Sequence, residues 1–279
     1  MPILFSMISE FKIFKKENIW VIFLFLIVTY MIFTILFKID ESTGNKEYLE
    51  ATKFILPGLG ITFLSTLVSF FIALFIGLIA GVGRISKNAF FSNLSRTYIE
   101  FIRGVPVIIL LFTIAFVVVV DIAELFNIRG NQVPMLLRAI IALAIFYGAY
   151  IAEVFRAGIE SVGRGQIEGG KSLGLNQKQI MRYIILPQAF KNMLPALGND
   201  FISMMKDSSL LSVLAVNDIT YKGRLYSSSS FRYQETYLVL TVMYLLITLS
   251  LSIFQRRLEL KLENSESVSY THLRAHETV

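Results

Sequence analysis

The chain of 279 residues contains no cysteine, and its two histidines, His272 and His276, lie close to the C-terminus. A disulfide framework, a thiolate nucleophile, a His-based catalytic triad and a His/Cys metal site are therefore excluded from the body of the sequence. Charge is scarce too. Only 16% of residues are charged, against about 25% in soluble globular domains, which argues against an ordinary cytosolic enzyme. What fills the chain instead is apolar: 55% hydrophobic residues, 24 of them Phe, and a mean hydropathy of +0.65.

The apolar residues fall in runs long enough to cross a bilayer, whose hydrocarbon core of roughly 30 Å needs about 20 helical residues. Six runs are legible, at about residues 20–37, 57–83, 105–120, 135–155, 194–216 and 237–254. The first lacks the small-residue cleavage site of a signal peptide and is longer than an h-region, so it reads as a retained anchor. The fifth contains Asp200, Lys206 and Asp207 and scores poorly on hydropathy. With six spans and cytoplasmic termini, fifteen basic residues fall inside and seven outside, which sets the orientation. That asymmetry accounts for the net charge of +6 without a nucleic-acid partner. Ahead of the first span, Leu4, Met7, Ile8, Phe11 and Phe14 recur at helical spacing beside lysines, as in an interfacial amphipathic helix.

The long loop over residues 156–193 carries the local signals. Gly174 stands where a helix end needs a left-handed residue. Asn176, with Gln179 three positions on, is close to a capping box for a new helix that ends near Pro187. Two short helices joined by a tight turn make a knuckle suited to a groove on another protein. Within it, residues 165–172 spell G-x-x-x-x-G-K-[ST], but no strand precedes them and no parallel sheet exists to host a phosphate loop. The match is accidental.

Glu168-Gly-Gly, Gly174 and Ile185-Leu186-Pro187 resemble the signature of permeases in bacterial ATP-binding cassette importers. Tyr98 to Pro106, Gly148 to Gly158, Lys206 to Ser212 and the Gly58-x3-Thr62 pair are similar to the polar amino-acid branch of that family. The resemblance covers roughly residues 55–262. It departs in Gly169 and Gly170, where the signature has alanines, which weakens the first short helix by about 1 kcal/mol per position. It departs again in the added span at residues 20–37.

The expected fold class is all-α: a polytopic helical membrane protein of about six transmembrane helices with a cytoplasmic coupling-helix loop. Its parts are an amphipathic N-terminus at 1–19, an extra anchor at 20–37, the transporter domain at 55–262 with the coupling loop at 156–193, and a tail at 263–279 that is non-native or disordered. The resemblance implies a permease, not an enzyme, in a bacterial plasma or inner membrane, importing a polar amino acid such as glutamine, glutamate, cystine or a basic one. It implies four partners: a cytoplasmic ATP-binding cassette ATPase that holds the ATP and Mg, an external amino-acid-binding protein, a second permease copy or paralogue, and the lipid bilayer. No cofactor is expected in this chain. The alternatives are another import substrate or a stand-alone channel, which would not need the knuckle.

Coupling to the ATPase is assigned to Glu168, Gly169, Gly170, Lys171, Gly174, Leu175 and Pro187. Intramembrane charges are costly and usually face a partner or a watery cavity. A route for a zwitterion is therefore assigned to Asp200, Ser203, Lys206 and Asp207, opposite the stripe Thr62, Ser65, Thr66 and Ser69, with Glu100 a further candidate. Asp200, Lys206 and Asp207 are expected to neutralise one another. The pairs Glu100/Arg103 and Glu153/Arg156 read as helix-end packing, and Gly77 and Gly81 as close-packing positions.

Overall fold

The computed structural model describes residues 19–37 and 47–274, and among these the structure is helical, with no strand. The amphipathic N-terminal helix lies outside the described residues. In chain order the elements are α1 (Ile19–Phe37), α2 (Glu47–Ile55), α3 (Leu59–Arg84), α4 (Ala89–Gly104), α5 (Val107–Leu125, with a π-helical stretch at Ile114–Val118) and α6 (Met135–Glu160). They continue with α7 (Arg164–Ser172), α8 (Gln177–Ile180), a π segment at Met181–Ile185, α9 (Leu186–Asp207), a 3₁₀ segment at Ser208–Leu214, α10 (Ile219–Ser230) and α11 (Tyr233–Arg274).

Among the described residues four helices are long and apolar enough to cross a membrane: Glu47–Arg84, Val107–Leu125, Met135–Glu160 and Tyr233–Lys261. The added N-terminal run forms the 19-residue apolar helix α1, with Phe23, Phe25, Tyr30 and Phe33 all exposed, as a lipid-facing surface requires. The weak fifth run is helical, as α9 and its 3₁₀ extension, but too polar to count by hydropathy. The backbone of α11 stays helical to Arg274, beyond the apolar run at 237–254 and into the stretch expected to be a non-native or disordered tail; extending a helix already nucleated by a long span costs little.

The described chain divides into two compact units. The first takes the chain up to Pro57 together with Lys222–Leu246. There Arg232 pairs with Glu47 and reaches Glu50 at 3.5 Å, Phe54 packs on Tyr226 with ring centres 5.5 Å apart, and Leu240 closes tightly on Gly223.

The second unit takes Gly58–Tyr221 and the chain from Ile247 onward. Its centre is the α3–α6 pair. An ideal Cβ on Gly77 would stand 2.5 Å from Ile151 Cγ2, and one on Gly81 2.8 Å from the Ala152 carbonyl oxygen. These two glycines are close-packing positions, as their spacing suggested. Ser69 adds a cross-helix bond, donating to the Ile140 carbonyl at 3.1 Å. Helix α4 stops at Gly104 because Val105, preceding Pro106, is held extended. Tyr98 pins α4 to α6 by donating to the Ile145 carbonyl at 2.7 Å.

Arg138 is buried in the first turn of α6. It donates to the carbonyls of Val133 (3.1 Å), Ala115 (3.3 Å) and Gly130. One guanidinium thereby serves the π-helical stretch of α5 and the loop that follows it, a way to keep a charge in an apolar helix.

Candidate coupling knuckle and transport route

The knuckle is built from local chain chemistry. Helix α7 ends in a Schellman motif: Gly174 adopts φ +78, its N–H donates to the Lys171 carbonyl (2.9 Å), and the Leu175 N–H donates to that of Gly170 (3.1 Å). Two residues on, Asn176 and Gln179 form a reciprocal capping box, at 2.8 and 3.0 Å, that starts α8. The 165–172 match to a phosphate loop is wound into helix α7, so its backbone N–H groups form no anion-binding loop.

Below α8 the backbone slips into π-helical register, with the Leu186 N–H reaching back to Met181. Pro187 has no N–H to offer the carbonyl four residues earlier, so a wider turn is the natural accommodation. The proline of the Ile-Leu-Pro triplet thus marks a joint between the knuckle and α9.

The seven residues assigned to coupling separate into three groups. Glu168, Gly169, Lys171 and Pro187 are exposed. Gly170 and Leu175 face inward, where an ideal Cβ on Gly170 would meet Ile184 at 2.5 Å and Leu175 packs on the apolar core. Gly170 and Leu175 therefore fasten the knuckle instead of presenting it. Gly174 makes the turn. Leu173, 82% exposed at the tip, escaped the sequence reading; Tyr183, 65% exposed with Arg182 5.8 Å over its ring, is a second exposed apolar side chain of the knuckle. Leu173 sits between Lys171 and Gly174, where a large apolar residue in a polar loop is itself the signal.

The hydroxyl stripe is placed differently from expectation. Thr62, Ser65, Thr66 and Ser69 are all fully buried. Thr62 donates to the Gly58 carbonyl (3.2 Å) and accepts from the Ile219 N–H (3.2 Å). Ser65 and Thr66 donate back to the Thr62 carbonyl, and Ser69 crosses to α6. These hydroxyls seat neighbouring backbone and line no route in this conformation. Gly58-x3-Thr62 is the socket for the start of α10: an ideal Cβ at Gly58 would stand 2.6 Å from Asp218 C. Asp218 caps α10 by accepting from the Tyr221 N–H at 2.7 Å. Burial pushes its carboxyl up to about 7, with the backbone N–H of Tyr221 pulling the other way.

On α9, Ser203 and Asp207 are half-buried and Lys206 is exposed. Among the described residues Lys206 pairs with neither aspartate, so the expected mutual neutralisation does not form. Its side chain points outward while the Tyr147 hydroxyl, on the buried face of α6, donates to Asp207 at 2.8 Å. Tyr147 is 4% exposed and was not singled out in the sequence. Asp200 has a buried carboxylate oxygen without a hydrogen-bond partner. Glu153 and Arg156 pair at 2.7 Å, with Glu160 joining at 2.5 Å, a helix-end cluster as expected. Among the described residues Glu100 makes no such pair. Arg103 instead lies 5.4 Å over the ring of Tyr150.

A bundle of apolar helices carrying a capped external knuckle and a polar face on one interior helix defines a membrane permease. The chain belongs to the family of binding-protein-dependent transport system inner membrane components, whose model matches residues 73–264, and within it to the amino-acid permeases of ATP-binding cassette importers. It is 36% identical over 207 residues to the probable amino-acid permease protein YxeN of Bacillus subtilis, covering 74% of this chain and 90% of that one. It is likewise 36% identical over 190 residues to the glutamine transport system permease protein GlnP of Escherichia coli K12, covering 68% and 84%. A crystal structure of an amino acid ABC transporter with histidines superposes with a TM-score of 0.69 at 34% identity, covering 76% of this chain and 96% of that one.

Proposed function

We propose that this chain is the permease of an importer for a polar amino acid, moved by ATP hydrolysis in a partner subunit. The knuckle carries this reading. Leu173 projects from a turn held by two capping motifs, and Glu168 and Lys171 from the helix leading into it, which gives a docking ATPase a rigid apolar anchor beside both charges. A separate binding protein delivers the amino acid from outside, both termini are cytoplasmic, and the chain pairs with a second copy or a paralogue. Mg and ATP reside in the ATPase.

The route for substrate lies along α9. Asp200 and Asp207, seven residues apart and so on one face of the helix, offer acceptors for an ammonium group, with Ser203 between them and Tyr147 holding Asp207 in place.

The test is to express the chain with its genetic neighbours, purify in mild detergent and measure ATPase activity in lipid with and without loaded binding protein. A bound ATPase stimulated by one amino acid is the expected result. Its loss in Leu173→Ala and Glu168→Ala, with the permease still folded, localises docking to the knuckle. A permease that purifies alone and stimulates nothing overturns the reading in favour of a channel.

A further inference from the structure

We propose that the Gln255 side chain is a latch between the last membrane helix and the segment that carries the knuckle, and that its engagement sets how tightly hydrolysis is tied to transport. The inference rests on the permease reading above and adds a positioning residue to it.

Helix α9 receives the knuckle through the π joint, and its first half is held from two sides. On the α6 side, Met193 closes on Gly158 and Asn192 donates to Ser161 Oγ at 2.9 Å. On the α11 side there is Gln255. Its Nε2 donates to the Pro195 carbonyl (3.0 Å) and to Asn199 Oδ1 (3.1 Å). Pro195 stands inside α9, where its missing N–H leaves the Lys191 carbonyl without its helical donor and makes this turn the pliable one. The amide reaches this turn because residue 198 is glycine: an ideal Cβ there would be 2.9 Å from Gln255 Cδ.

The same Nε2 also lies 2.9 Å from Glu259 Oε1, one turn further along α11. A primary amide has two N–H groups, so three acceptors compete for two donors. Bonds to Pro195 and Asn199 tie α11 to α9. A bond to Glu259 keeps the amide on its own helix and lets α9 go. The side chain has room to exchange, since a cleft of about 510 Å³ lined by Asn199, Ser252, Gln255, Arg256, Glu259 and Leu260 opens beside it. A contact that only glued two helices together would need no competing acceptor and no space to move.

The experiment uses the intact complex of permease and ATPase in lipid with amino-acid-loaded binding protein. Gln255→Glu keeps the shape and removes both donors. Gly198→Ala pushes the native amide away. Each is expected to retain ATPase docking but to raise hydrolysis without loaded binding protein, and to lower amino acid moved per ATP, by about fivefold, the shift one net hydrogen bond gives a two-state equilibrium. Glu259→Ala removes the competing acceptor and is expected to lower unstimulated hydrolysis. An unchanged ratio of stimulated to unstimulated hydrolysis in Gln255→Glu, with docking intact, overturns the latch. A fall in yield with that ratio constant overturns it equally, as Gln255 is then a packing residue. Absence of docking in the unsubstituted complex is a different result: it removes the permease reading itself, and the latch with it.

Discussion

The α3–α6 pair and the knuckle-bearing end of α9 are held together in opposite ways. At α3–α6 two glycines let backbone meet backbone, and every hydroxyl of the Thr62 stripe is spent on a neighbour. At the knuckle a few directional contacts do the holding: two caps, a π joint, an amide with one acceptor too many. The first is a frame and cannot shift without loss of packing. The second rests on a few directional bonds, and at Gln255 the amide has a choice of acceptors, which is what a coupling element needs.

Breaking the frame has the largest expected effect. Gly81→Leu drives a side chain into the Ala152 carbonyl and Phe155, and no rotamer relieves a backbone clash. Folded permease, followed by size-exclusion of a fluorescent fusion, is expected to disappear, while Gly60→Leu, with open space around it, folds normally. Next is Tyr147→Phe, which strips Asp207 of its only hydrogen-bond donor among the described residues. An unmet charged partner costs about 1–3 kcal/mol, so transport in vesicles is expected to fall about tenfold with ATPase docking unchanged.

How far these two regions were legible in the sequence differs for physical reasons. Gly174, Asn176 and Gln179 act on backbone within a few residues of themselves, so their roles could be read directly. Gly77 and Gly81 could also be read, because small residues four apart on an apolar helix have one common use. The Thr62 stripe could be read either as the lining of a route or as hydroxyls bonding across helix interfaces, and in this conformation it is spent on neighbouring backbone. Periodicity shows that four hydroxyls share a face, but not whether that face meets a cavity or the backbone of residues 140 and 219. Tyr147 and Asp207 are sixty residues apart, and no local pattern announces their bond. Lys206 was paired with its neighbours on spacing alone, while its true direction is set by how α9 packs.

A smaller effect sharpens the contrast at the Gly58–Thr62 socket. The folded-state pKa of Asp218 lies above its ordinary value of 3.8, so the folded protein binds more protons than the unfolded chain between about pH 4 and 7. The contribution of this group is fully present below that window and is lost as pH rises through it, by at most about 1.4 kcal/mol per pH unit. Asp218→Asn retains the cap and is expected to flatten this slope, as read from thermal unfolding in detergent at pH 5, 6 and 7.

The smallest effect separates two adjacent glycines of the knuckle. Gly169→Ala enters open space and is expected to stabilise α7 by about 0.5–1 kcal/mol. Gly170→Ala meets Ile184 and is expected to gain less or nothing. Amide hydrogen exchange across residues 164–180 distinguishes them.

Because the chain contains no cysteine, a single introduced thiol reports one position without background. The most direct test of the account is to place it at the knuckle tip by Leu173→Cys, with Ser229→Cys as a control. Both variants are then treated with a membrane-impermeant maleimide, in intact cells and in inside-out vesicles with and without the ATPase. The account predicts that Leu173→Cys is silent in cells, labelled in stripped vesicles and protected once the ATPase is restored, whereas Ser229→Cys labels from outside regardless. Labelling of Leu173→Cys in intact cells, or no protection by the bound ATPase, would contradict it.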